Sequence, residues 1–136
     1  MSGGEIVLLI EDNEANSMLA TAVLEREGFH VEVAGSAAEA KRLLRAVTPA
    51  VILMDVQLPG EDGLSYTREL KASRATSRIP IVALTAHAMA GDRERAMNAG
   101  CAGYLSKPID TRTFAAEVRG VLDRRYRYRE EEDAAS

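Results

Sequence analysis

The sequence has a single cysteine, Cys101, so no internal disulfide can form and a reducing compartment fits. No secretory leader is expected from its first residues: Met1-Ser-Gly-Gly-Glu5 offers neither a basic segment nor a long apolar one. No uncharged apolar run approaches the roughly 20 residues that cross a bilayer. These absences lead to the expectation of a soluble, cytoplasmic protein with no membrane attachment. A net positive charge is also lacking: the formal net charge is −4 and the pI about 5.3, which disfavours bulk attraction to nucleic acid. No internal repeat and no linker interrupts the 136 residues, the size of one ordinary domain.

What is present has a globular balance, 46% apolar and 28% charged. Apolar runs of strand length alternate with amphipathic stretches. Ile6 to Ile10 reads IVLLI, a strand covered on both faces. Ala15, Met18, Leu19, Ala22 and Val23 follow at helical spacing, with Gly28 as the stop. Val31 to Ala34 is a second strand. Ser36 and Glu39 fit a capping box for a helix striped by Ala40, Leu43, Leu44 and Val47 and closed by Pro49. Val51 to Met54 is the third strand, Gly60 to Gly63 a loop, and a more polar helix runs from about Leu64 to Ser73. Ile81 to Leu84 is the fourth strand. A weak helix from about Ala90 to Ala99 has Ala96 and Met97 as its clear apolar anchors. Gly103 to Leu105 belongs to a fifth strand, and Asp110 caps a last helix striped by Phe114, Val118, Val121 and Leu122. The basic-then-acidic block Arg124 to Asp133 extends that helix and then frays. The expected division is residues 1–123 as the domain and 124–136 as a charged tail.

Five βα units imply a parallel, doubly wound sheet with helices on both faces and right-handed crossovers. Ligands of such sheets bind beyond the carboxyl ends of the strands. The residues there are Glu11 and Asp12, Asp55, Thr85, and Lys107 followed by Pro108. Three converging carboxylates repel one another unless a counterion is present. Lys107 offsets one charge, and a hard divalent cation suits the remainder: oxygen ligands favour Mg²⁺ or Mn²⁺ over Zn²⁺. Such a group can stabilise a transferring phosphoryl, and a carboxylate can be its nucleophile.

These residues are similar to those of a response-regulator receiver domain of two-component signalling, of the chemotaxis-regulator-like, single-domain kind. The matching segments are Glu11-Asp12, LMDVQLPGEDG around Asp55, ALTAHA around Thr85, and YLSKPID around Lys107-Pro108, and the resemblance covers about Glu5 to Leu122. The resemblance implies a flavodoxin-like (βα)5 fold with strand order 2-1-3-4-5. It implies that Asp55 accepts phosphate from a phosphohistidine on a histidine kinase or histidine phosphotransfer protein. Mg²⁺ would be bound by Asp12, Asp55 and the backbone carbonyl of Gln57, with Glu11 assisting. Lys107 would pair with the phosphoryl group across a cis bond to Pro108, Thr85 would move toward the phosphoryl oxygens, and Tyr104 would be the switch aromatic.

Each residue alone has a plainer reading: Glu11-Asp12 as a helix-start acidic pair, Asp55 as a turn cap, Thr85 as a strand-end hydroxyl, Lys107 as a surface amine and Tyr104 as a packing aromatic. Their joint occurrence favours the site. His87 either overhangs the site or is a loop histidine without a role. The Gln57 side chain either tunes phosphoryl lifetime or does not, and Ala86 leaves room for a bulky donor. Cys101 reads as a small buried apolar residue and His30 as a surface residue. The expected function is a phosphorylation-dependent, monomeric, protein-binding switch, not a turnover enzyme, with its output on the fourth helix, fifth strand and fifth helix. Rival readings are a receiver detached from a hybrid histidine kinase, a phosphatase with an aspartyl-phosphate intermediate, and a phosphate-independent scaffold. Gln57, standing where a second acid would sit, counts against the phosphatase.

Overall fold

The computed structural model describes residues 4–86 and 90–135, the side chains of Ala90 and residues 125–135 excepted. The strands are β1 (Ile6–Ile10), β2 (His30–Ala34), β3 (Val51–Asp55), β4 (Ile81–Thr85) and β5 (Gly103–Ser106). They form one parallel sheet in the order β2-β1-β3-β4-β5. The helices are α1 (Glu14–Arg26), α2 (Ala37–Ala46), α3 (Gly63–Ala72), α4 (Ala90–Ala99) and α5 (Phe114–Ala135). This is the doubly wound, flavodoxin-like arrangement implied by the resemblance.

Strand periodicity divides the core into two layers. Val7, Leu9, Val51, Leu53, Val82 and Leu84 point to one face and pack with Val23 and Leu24 of α1 and Phe114 and Val118 of α5. Leu8, Ile10, Ile52, Met54, Ile81 and Ala83 point to the other and pack with α2, α3 and α4. Every residue of β3 and β4 is buried, so these central strands read as unbroken apolar runs. Each large side chain so enclosed contributes about 1.5–3 kcal/mol of transfer free energy before entropy is counted.

Caps set the helix starts. Asn13 Oδ1 accepts from Asn16 N at 2.9 Å to open α1, and Ser36 Oγ accepts from Glu39 N at 3.2 Å to open α2. Glu39 Oε1 in turn accepts from Gly35 N at 2.8 Å, one residue ahead of the cap. Gly28 and Gly100 end α1 and α4 with φ of 96° and 109°, a region costly for any residue with a Cβ.

The structure corrects the expectations about the loop after β3 and about Met97. The loop after β3 contains a two-stranded antiparallel ribbon, Gln57–Leu58 against Glu61–Asp62, turned at Gly60 with φ 77°. Asp110 makes the capping contacts expected of it at the turn that leads into α5: its Oδ1 accepts from Arg112 N at 2.9 Å and its main-chain oxygen from Phe114 N at 2.9 Å, where the regular helix begins. Met97 is not an anchor of α4, being 42% exposed, while Ala96 and Ala99 are buried. Met97 lies about 100° around the helix from Ala96, and two small side chains suffice to seat α4 close to its neighbours. The charged block after Arg124 extends the last helix, as expected, α5 running to Ala135. Among the described residues no helix is long and apolar enough to cross a membrane.

Candidate functional site

The carboxyl ends of the strands are held in register by backbone hydrogen bonds that continue just past the sheet. Glu11 N donates to Ala34 O at 2.9 Å, Val56 N to Leu84 O at 2.9 Å, and Lys107 N to Thr85 O at 2.7 Å. Glu11, Asp55 and Lys107 are therefore fixed by their neighbours' main chains before any side-chain contact is made. The Lys107–Pro108 peptide is cis, as the resemblance implies.

Glu11, Asp12 and Asp55 each offer a carboxylate oxygen, and these oxygens lie within 4.8 Å of one another. Asp55 and Glu11 are 2% and 4% exposed, whereas Asp12 faces solvent. Lys107 Nζ stands 3.2 Å from Asp55 Oδ1 and 3.2 Å from Glu11 Oε1. Main-chain donors add to this: Gln57 N reaches Asp55 Oδ1 at 2.9 Å and Asn13 N reaches Glu11 Oε2 at 3.2 Å. Three carboxylates share one ammonium, so the cluster carries excess negative charge where burial weakens screening. Burial, and next the proximity of Asp55, push the Glu11 carboxyl above its usual range. Burial alone would lower the Lys107 ammonium, but attraction to Asp55 and Glu11 outweighs it and raises the pKa. Glu11 and Lys107 thus report the same field from opposite sides.

Thr85 is buried at the end of β4. Together with Val56, Gln57, Leu64, Tyr104, Asp92 and Arg95 it lines a cavity of about 110 Å³. Tyr104 is half-buried on β5. The candidate site residues Glu11, Asp12, Asp55, Gln57, Thr85, Tyr104 and Lys107 come together around this end of the sheet. His87 lies outside the described residues, and Ala86 is exposed.

Sequence reasoning missed three contributors. Gly63 is buried at the start of α3, and a Cβ there would overlap the carbonyl oxygen of Asp55 and sit 2.9 Å from Val56 Cα. Only glycine lets the main chain pass so close beneath the Asp55 turn. The signal was present: a glycine just inside a helix start has to be justified by packing. Asp92 and Arg95 on α4 left no such signal, since an acid and a base three residues apart read as an ordinary surface pair.

The family model described as the response regulator receiver domain matches residues 7–119. The polar-differentiation response regulator DivK of Brucella ovis is 40% identical over 116 residues, covering 85% of this chain and 94% of that protein. The receiver domain of a sensor histidine kinase from Pseudomonas aeruginosa PAO1 is 40% identical with TM-score 0.75, covering 89% of this chain and 96% of that one; it was solved with a magnesium ion coordinated in its active site cleft. A chemotaxis response regulator of Vibrio cholerae, 23% identical with TM-score 0.81 over 87% of this chain and 98% of its own, shares the fold. Fold, strand-end carboxylates and these matches agree, and the chain belongs to the receiver domain family of two-component response regulators.

Proposed function

We propose that Asp55 is the phosphoacceptor, taking a phosphoryl group from a phosphohistidine on a histidine kinase or histidine phosphotransfer protein. The observation that carries this reading is the setting of Asp55, 2% exposed at a strand end, paired with Lys107 at 3.2 Å and grouped with two further carboxylates. An Asp55 carboxylate oxygen attacks phosphorus, the O–P bond forming as the P–N bond breaks. The bonding pair returns to the imidazole, which takes up a proton from solvent. Lys107 meets the phosphoryl oxygens with its ammonium and Thr85 with its hydroxyl.

The oxygens of Glu11, Asp12 and Asp55, with the Gln57 carbonyl, fit a hard divalent cation, Mg²⁺ or in its place Mn²⁺. When bound, it supplies positive charge against the repulsion between these carboxylates and the incoming group. Gln57 offers no acid beside Asp55, so the chain stores phosphate as a switch and does not turn it over as a phosphatase. Thr85 and Tyr104 share a cavity, and their movement carries the change to the face of α4, β5 and α5. A groove of about 440 Å³ there, lined in part by Met97, Tyr104 and Gly120, would receive the downstream protein. The working form is a cytoplasmic monomer, with residues 1–123 as the receiver body and 124–136 as a charged extension. A second reading, a receiver detached from a hybrid histidine kinase, is favoured by the sensor-kinase relative at 40% identity; the complete gene sequence separates the two.

The test is incubation with Mg²⁺ and acetyl phosphate. The parent should incorporate phosphate only with Mg²⁺, Asp55→Ala should incorporate none, and Lys107→Ala should take phosphate but transmit poorly. A parent that stays unmodified would sink the phosphoacceptor reading.

A further inference from the structure

The cavity beside Thr85 holds more charge than a phosphoryl switch needs. Its wall on the α4 side is made by Asp92 and Arg95, which form an i,i+3 ion pair. The two partners sit differently: the Asp92 side chain is 14% exposed and leans toward the cavity, whereas that of Arg95 is 68% exposed. Gln57 lines the same cavity, and its N–H donates to Asp55 Oδ1 at 2.9 Å, so the space adjoins the phosphoacceptor. A phosphoryl group there would add between one and two negative charges and three strong acceptor oxygens. Asp92 would be repelled by them, and Arg95 would find a better partner than a single carboxylate, since a guanidinium pairs bidentately with phosphate.

We propose that Arg95 is a second cation for the phosphoryl group, held away from it by Asp92 until Asp55 is modified. The inference rests on Asp55 being the phosphoacceptor and adds a residue from α4 to its oxygen-binding set. The ion pair is then a charge lock. Exchanging Asp92 for the phosphoryl as the partner of Arg95 draws the guanidinium inward and shifts α4 relative to β5. The small anchors Ala96 and Ala99 oppose such a shift weakly, having little side chain to interlock. Because the lock is an exchange of partners, its two halves have opposite signs: removing Asp92 releases Arg95 to the phosphoryl, and removing Arg95 takes a cation away from the cavity while the Asp92 carboxylate stays.

The experiment measures beryllofluoride binding, as a phosphoryl mimic, to the full chain with saturating Mg²⁺ by calorimetry, with ¹⁹F resonances confirming the bound species. Arg95→Gln should weaken binding roughly tenfold, the loss of one charged hydrogen-bonding partner. Arg95→Lys should recover part of that loss, which a merely structural role would not produce. Asp92→Asn should tighten binding about three- to fivefold through removal of a like charge. If the parent binds and the Gln and Asn variants match it, or shift in the same direction, the lock is overturned while Asp55 keeps its role. If the parent does not bind beryllofluoride, the reading of Asp55 fails, and the lock with it.

Discussion

α4 and α5 flank the same edge strand, β5, from opposite faces of the sheet, yet they are anchored by different means. α5 inserts Phe114, Val118 and Val121, at 1%, 0% and 6% exposure, into the layer shared with α1. α4 inserts only alanines among its described side chains, Ala96 and Ala99, and turns Met97 outward. The helix that borders the Thr85 cavity is therefore the one with least apolar grip. A receiver needs both kinds of support. The carboxylates and Lys107 have to hold position within hydrogen-bonding tolerance, while the surface that reports on them has to move at small cost. On the proposed function, the division between the two helices would supply this, α5 being firmly seated and α4 only lightly.

The largest expected effect comes from cutting the stronger anchor. Phe114→Ala removes a fully enclosed ring from the α1–α5 layer and should cost about 3–5 kcal/mol in denaturant unfolding. Met97→Ala on α4 should stay within roughly 0.5 kcal/mol of the parent, as exposed substitutions do. Comparable losses from both would erase the contrast.

Much of this was legible in the residues. IVLLI, VILM and IVAL are apolar without alternation, which for short runs means strands buried on both faces, and the order of elements then leaves few topologies. The strand-end rule brought Glu11, Asp55 and Lys107 together before any distance was known, and the structure places them within ion-pair reach. Three features escaped because they depend on the third dimension. Hydrophobicity alone weighs Met97 above an alanine as an anchor, but close approach of a helix to a sheet selects the small side chain. The ribbon at Gln57 and Glu61 is too short for a periodic signal. The inward lean of Asp92 is decided by which side of α4 meets the cavity, and a helix with so few apolar residues does not announce its facing.

A smaller effect tests the contrast without mutation. Backbone amides in the middle of α4 should exchange with deuterium at least tenfold faster than those of α1, which buries Ala20, Val23 and Leu24, a difference of about 1.4 kcal/mol in opening free energy. Addition of Mg²⁺ and beryllofluoride should slow α4 more than α1. Equal protection in the two helices would mean that its anchors are stronger than their size suggests.

The smallest effect lies on the fixed side. Arg119 of α5 bonds to Glu5 at the start of β1, with Nη1–Oε2 at 2.6 Å and Nη2–Oε1 at 3.1 Å, and its guanidinium lies 4.5 Å from the Phe29 ring centroid. The bond from Arg119 holds the Glu5 carboxyl below its ordinary value of 4.5. A carboxyl with a lowered folded-state pKa stabilises the fold above its unfolded pKa and loses that contribution as the pH falls through the folded value. Both side chains are more than a third exposed, so solvent screens the pair and its worth is under about 1 kcal/mol. Glu5→Gln should therefore lower the denaturant midpoint slightly at pH 7, and less as the pH drops below 4.5 toward the acid limb, where parent and variant converge. Added salt should shrink the difference at pH 7 as well, because the pair is exposed. A difference that persists unchanged at low pH would assign Glu5 a packing role in place of the charge pair with Arg119.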